Sequence, residues 1–201
     1  MFRKKCLICD HSNLNEIINL GMHPLADTFI EEKKLHLSDK VYPLIVQMCE
    51  NCGNIQLKCT TKPEERYQEN DYSYTSSNSN YSKNYWIKYA SDVVNFFPNK
   101  TKLKILEIGS NDGFLLNELK KYGHEVIGID ASPIIAEIAK KRGIFTKVGI
   151  FEENFSKEIL KDHGQFDLII ANNVFNHSDN PKSFFNGIKK LLVGDGLFIF
   201  E

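Results

Sequence analysis

The sequence predicts an α/β protein: a doubly wound, incomplete Rossmann-like sheet preceded by a small metal-stapled module. Three observations carry that prediction. From Lys102 onward, short apolar runs alternate with amphipathic stretches at the spacing of successive strand–helix units. The first of those runs opens into a glycine-rich turn, "GSNDG". Two Cys-x2-Cys pairs stand in an N-terminal segment whose apolar periodicity is weak.

The bulk numbers bound the answer. The chain has 201 residues, enough for one ordinary domain and a small addition. Hydrophobic residues make up 42% and charged residues 25%, a globular balance that excludes wholesale disorder. A formal net charge of -1 argues against a nucleic-acid partner. The basic start, "MFRKKCLICD", lacks the apolar core of a signal peptide. No apolar run approaches the roughly 18 residues of a membrane span. A soluble cytoplasmic protein is the expectation.

Residues 1–70 are expected to form a zinc-binding module. Short apolar stretches such as "YPLIVQM" are too few for a self-sufficient core, so a staple is needed. Five cysteines is an odd count and fits a disulfide framework poorly. Cys6, Cys9, Cys49 and Cys52 supply two thiolate pairs that can complete a tetrahedral zinc site. Four thiolates leave no open coordination position, so such a metal is structural. His11 is near enough to substitute as a ligand, and Cys59 reads as a small hydrophobe.

Residues 71–98 read as a polar loop, "NDYSYTSSNSN" at its start, and a connecting helix. Tyr85, Trp86, Tyr89, Ala90, Val93, Val94 and Phe97 recur at helical spacing until Pro98, a pattern that most simply packs against the next domain. Residues 99–201 carry the alternation. "KLKILEIG", "HEVIGID", "FTKVGI", "FDLIIANNV" and "GLFIFE" read as strands. "FLLNELKKYG", "SPIIAEIAKKRG", "SKEILKDHG" and "NPKSFFNGIKKLL" read as helices, with Pro133 and Pro181 near two starts and Gly123 and Gly143 past two ends.

A dinucleotide fold uses G-x-G-x-x-G to lay backbone amides against a pyrophosphate at a helix N-terminus. Here the turn reads Gly109-Ser110-Asn111-Asp112-Gly113, with Asn111 in place of the middle glycine. A carboxylate at Asp112 would repel pyrophosphate and attract the ammonium and sulfonium of S-adenosylmethionine. Glu107 adds a second acid at the strand's end. The next strand ends in Asp130, 17 residues after Gly113, where a carboxylate accepts hydrogen bonds from both ribose hydroxyls. Asp130 marks an adenosine ribose; Asp112 chooses S-adenosylmethionine over NAD. Each aspartate alone also reads as a helix cap. Ala131 and Phe151 are candidates to wall the adenine, although an aromatic at the latter position is more often core. Asn172 and Asn173 lie near the end of the fourth strand, on the side where open α/β sheets bind ligands.

In this order, "CLIC", "LGMHPLADTFI", "YPLIVQMCENCGNIQL", "DYSYTSSNS", "LEIGSNDGFLL" and "NNVFNHSDN" resemble the sugar C-methyltransferases of bacterial deoxysugar pathways, over essentially the whole chain. "CENCGNIQL" together with "EIGSNDGFLL" is the specific part. The resemblance implies a class I methyltransferase domain that uses S-adenosylmethionine beside a structural zinc. It implies a nucleotide-linked 4-keto-deoxysugar as substrate, methylated at C3. A neighbouring ketone acidifies the C3 hydrogen, a base removes it, and the enolate carbon attacks the methyl group in line. It also implies that His177 faces the sugar and that Tyr74, in the Tyr-x-Tyr loop, approaches the active site. On its own, His177 reads as an exposed loop or helix-entry histidine, and Ser178 and Asp179 read as caps.

The family's favoured base belongs to a Tyr/Glu/His cluster in its C-terminal half, with the last strands of a seven-stranded sheet. The chain ends at Glu201, in or just after a strand with an apolar edge, and is expected to be the front part of a longer polypeptide. The alternatives are a methyltransferase with another small-molecule or protein acceptor, and a zinc- and adenosyl-binding fragment without turnover. A dehydrogenase would instead bind NAD more tightly than S-adenosylmethionine.

Overall fold

The computed structural model describes residues 1–26, 30, 32–38, 40–69 and 72–201. It divides into two units, Met1–Ser73 and Tyr74–Glu201. The boundary expected after residue 70 falls on Asn70 and Asp71, which lie outside the described residues, as do Asp27, Thr28 and Phe29 of "LGMHPLADTFI". Residues 74–98 cluster with the larger unit. Among the described residues, no helix is long and apolar enough to cross a membrane.

The first unit is a three-stranded antiparallel sheet in the order β1 (Leu14–His23), β2 (Tyr42–Cys49), β3 (Ile55–Leu57), followed by the short helix α1 (Pro63–Tyr67). Leu14 pairs with Cys49 and Val46 with Leu57, so the β2–β3 hairpin carries Cys49 and Cys52 at its tip. Nearly all of β1 is exposed. The buried hydrophobic residues described here are Cys6 and Cys49, beside the buried amides of Gln47 and Gln56. Two thiols are no hydrophobic core. A sheet of this size needs a crosslink of another kind.

The second unit opens with α2 (Asn80–Asn95). Ser79 caps it in a reciprocal box with Ser82, which starts the helix five residues before the aromatic stripe alone would indicate. The alternation then follows: β4 (Lys104–Ile108), α3 (Phe114–Lys121), β5 (Glu125–Asp130), α4 (Pro133–Lys141), β6 (Thr146–Val148), α5 (Glu153–His163), β7 (Phe166–Ala171), α6 (Pro181–Leu191) and β8 (Leu192–Phe200). All pairs are parallel, in the order β6-β5-β4-β7-β8.

Both faces of this sheet are covered, and the central strands β4 and β7 turn successive residues to opposite sides from Ile105 and Leu168 onward. Leu103, Ile105, Leu168 and Ile170 pack towards Ala90, Val93, Leu116 and Leu119. Leu106, Ile108, Ile169 and Ala171 pack on the other side with Ile159, Phe184 and Ile188. Burial on both faces is why the strands read as continuous apolar runs. The strand order reverses between β4 and β7, so their C-terminal ends border the crevice where such sheets bind ligands. Glu107 continues the Leu103–Ile105 face to that end, and is itself buried.

Candidate functional site

The metal candidate is built from two equivalent knuckles. In the first, the Cys6 amide donates to the His11 carbonyl and the Asp10 amide to the Cys6 carbonyl. In the second, Cys49 donates to Asn54 and Gly53 to Cys49. Asp10 (φ 60°) and Gly53 (φ 72°) occupy the same left-handed position in each turn. The four sulfurs converge: Cys6 Sγ lies 3.6 Å from Cys52 Sγ and Cys9 Sγ 3.6 Å from Cys49 Sγ. All four lie within 4.8 Å of one another. A tetrahedral zinc with Zn–S bonds of about 2.3 Å sets sulfur–sulfur edges near 3.8 Å, whereas a disulfide needs about 2.05 Å. The donor set fits zinc. The Ile8 amide donates to Cys6 Sγ and the Asn51 side-chain amide to Cys9 Sγ. Backbone donation at His11 holds the Cys9 thiol down at about 6. At Cys52, backbone donation at Asn54 is outweighed by hydrogen bonding among the sulfurs, which pushes the thiol up to about 12, so the quartet sheds its last proton only to a metal. His11 turns its Nδ1 to the Asn13 amide, apart from the sulfur cluster.

The cofactor candidate lies at the C-terminal ends of β4, β5 and β7. Gly109 (φ 69°) and Gly113 (φ 72°) both require a left-handed backbone. A Cβ at Gly109 would collide with the Val174 side chain, and one at Gly113 would come within 3.0 Å of Ala139 Cβ. The turn therefore lies tight against the following elements. Asp130 accepts from the Asn111 amide (2.8 Å) and the Ser132 amide (2.9 Å), which aim its carboxylate across the turn. Burial pushes its pKa up, against the lowering effect of those amides.

Among the described residues, the buried polar atoms without a partner include Glu107 Oε2 and Asn172 Nδ2 beside the crevice, and Ser110 Oγ in the turn. Burial, then the charges of Asp112 and Asp130, hold the Glu107 carboxyl well above the usual range. The Asn172 carbonyl oxygen accepts from the Tyr89 hydroxyl at 3.0 Å, which leaves its amide for another group. Burial pushes that phenol up to about 12, so it stays a donor. An unpaired acid and an unpaired amide donor complement the ammonium and carboxylate of an amino-acid ligand.

Asp112 differs from expectation. Its carboxylate is 1% exposed and already engaged. It accepts from Ser76 Oγ (2.9 Å), Ser77 Oγ and the Phe114 amide (3.3 Å), and pairs with Arg142 Nη2 at 3.2 Å. A carboxylate this buried must be paired, and its cation stands 30 positions away, beyond the reach of any local pattern. Near the end of β4, Glu107 is instead the acid whose Oε2 has no partner among the described residues. Ser76, Ser77 and Arg142 are residues that the sequence did not single out, and Tyr89, read there as part of a packing stripe, turns its hydroxyl to Asn172. The serine-rich loop was visible as a pattern, but Arg142 was one cation among many.

The remaining candidates scatter. Phe151 is buried in the core, edge-on to Phe184 with centroids 5.1 Å apart, which is the ordinary alternative for that position. Ala131 is half-buried beside Asp130. Asn173 (φ 55°) is exposed and donates its amide to the Glu201 carbonyl at 3.0 Å. Tyr74 is 49% exposed, and its carbonyl accepts from Asn111 Nδ2 at 3.1 Å. His177 is exposed in the turn Phe175–His177 that follows β7.

Comparison with known proteins places both units. Residues 6–67 match the family described as "Putative zinc binding domain", and residues 82–201 match the family described as "Methyltransferase domain". The chain is 26% identical to the C-methyltransferase NovU of Streptomyces niveus over 98% of its own length and 46% of that protein's. It is 34% identical to a ubiquinone biosynthesis O-methyltransferase of Pelagibacter ubique, over 47% of this chain and 40% of the relative. The chain thus spans less than half the length of these two relatives. Among solved structures, the PH0226 protein of Pyrococcus horikoshii superposes with a TM-score of 0.50 at 22% identity, covering 63% of this chain and 57% of that one.

Proposed function

Because the chain belongs to the methyltransferase-domain family, we propose that its second unit binds S-adenosylmethionine and serves methyl transfer to carbon. The acceptor in this reading is a nucleotide-linked 4-keto-deoxysugar, methylated at C3. The observation that carries it is similarity to a C-methyltransferase across both units, zinc module included. Similarity to the O-methyltransferase stops at about half of the chain, which supports a common cofactor rather than a common acceptor.

Bound at the crevice, the cofactor would supply an electrophilic methyl group on sulfur. Glu107 would pair with its ammonium, the Asn172 amide would donate to its carboxylate, and Asp130 would accept from the ribose hydroxyls. Gly109, Asn111, Gly113 and Ala131 would form the wall of the cradle, with Asn173 at its rim. Phe151 would support it from within the core. Tyr74 and His177, both exposed, would face the acceptor. Zinc on Cys6, Cys9, Cys49 and Cys52 would stand in for the hydrophobic core that the described residues of the first unit do not form. A reducing cytoplasm keeps such thiolates available.

Calorimetry of the zinc-loaded protein with S-adenosylhomocysteine tests the cofactor, and transfer of labelled methyl to a nucleotide-linked 4-keto-deoxysugar tests the acceptor. New carbon–methyl signals at C3 support the proposal. Methylation confined to hydroxyls or amines rejects the acceptor, and absence of binding heat rejects the site.

A further inference from the structure

We propose that Asp112 and Arg142 are positioning residues whose ion pair latches the loop from Tyr74 to Ser79 onto the cofactor turn, coupling cofactor binding to the order of that loop. The latch rests on contacts within the second unit. Only its coupling to the cofactor rests on the function proposed above.

Both carboxylate oxygens of Asp112 accept from residues distant in sequence, beside the local Phe114 amide. Asp112 takes the hydroxyls of Ser76 and Ser77 on its two oxygens. Arg142 Nη2 bridges Asp112 Oδ2 and Ser77 Oγ, at 3.2 Å to each. The guanidinium also lies over the Phe114 ring, 5.2 Å from its centroid, which holds it at the end of α4. Removing Arg142 leaves a 1%-exposed carboxylate without its counter-charge. From the helix side, Trp86 Nε1 donates to the Ser76 carbonyl at 3.2 Å.

Asn111 makes the connection to the ligand side. Its side chain accepts from the Ser76 amide (2.7 Å) and donates to the Tyr74 carbonyl (3.1 Å). Its own amide donates to Asp130 Oδ2 (2.8 Å). One residue, at a left-handed φ of 50°, thus grips both the loop's main chain and the carboxylate assigned to ribose. A ligand that pulls on Asp130 or fixes the turn acts on Tyr74 through two hydrogen bonds. By linkage, loosening the loop must weaken the ligand by the same factor.

Hydrogen exchange over residues 74–79, with and without S-adenosylhomocysteine, is read beside the calorimetric Kd for wild type, Arg142→Met, Arg142→Lys and Ser77→Ala. In the wild type, ligand slows exchange across the loop. Arg142→Met is expected to lose protection at 74–79 before ligand is added and to raise Kd at least fivefold, the lower end of the usual coupling of about 5–150-fold. Protection of β4 and β5 stays, which a general loss of stability would not allow, and Arg142→Lys recovers part of both signals. Retained loop protection, or a Kd change below fivefold, overturns the proposal. If Arg142→Met loses β4 and β5 protection as well, Ser77→Ala, which keeps the ion pair, is judged on the same two readouts and the same threshold. A wild-type chain that binds no S-adenosylhomocysteine removes the cofactor reading and the coupling together, and ligand-free exchange alone then judges the latch.

Discussion

Replacing Glu107 with glutamine is expected to make the ligand-free protein more stable and the cofactor site weaker. Glu107 is 6% exposed, its Oε2 has no partner, and its carboxyl is held well above the usual range by burial and by Asp112 and Asp130. The folded pKa exceeds the unfolded one, so the unfolded chain releases this proton first as pH rises. Stability is therefore fully present below the unfolded pKa, near 4.5, and declines as pH climbs towards the folded value. Glutamine does not ionise and removes that decline. An unsatisfied buried polar group costs about 1–3 kcal/mol, and glutamine still buries an amide, so a gain of roughly 1 kcal/mol is expected at pH 8. That corresponds to a midpoint rise of roughly 2–6 °C, vanishing at pH 4. Against it stands the loss of a charge-assisted hydrogen bond of about 1.5–3 kcal/mol, or roughly 10–150-fold in Kd for S-adenosylhomocysteine. Thermal unfolding at pH 4 and pH 8, with calorimetry at pH 8, reads both signs. A variant less stable than wild type at pH 8, or with Kd within threefold, would refute the role given to this carboxyl.

Three further outcomes are expected. Chelation of the metal, or Cys49→Ser, should abolish protected amides in β1–β3, because zinc–thiolate binding of about 10–16 kcal/mol replaces a hydrophobic core there; a one-to-one zinc content lost together with that protection is the readout. Gly109→Ala places a Cβ against Val174 at φ 69° and should weaken S-adenosylhomocysteine at least tenfold while costing about 1–3 kcal/mol in urea unfolding. Buried His124, whose Nε2 lacks a partner, is held below its usual pKa by desolvation. Its unfolded form takes up a proton first, so stability should fall as pH drops through about 6.5, and His124→Gln, which can still accept from the Leu103 amide, should flatten that fall.

The α/β alternation, the turn and the cysteine quartet are legible in the order of residues. Each is written in a local signal. Strand spacing, Pro133 at a helix start and the strand-ending Asp130 can be read within a window of a few residues, and each appears where its signal stood. The quartet needed only two identical spacings and too little apolar surface for a core. Which carboxylates remain available depends on the folded arrangement. Asp112 and Glu107 look alike in one dimension, yet Arg142 and two serines occupy the first, while among the described residues Oε2 of the second has no partner. That arrangement also decided that Phe151 faces Phe184 inside the core and that Ser79 starts α2 early. The reason is physical: side-chain periodicity is a property of neighbours along the chain, whereas the charge state and freedom of a buried acid depend on groups that folding brings from tens of residues away.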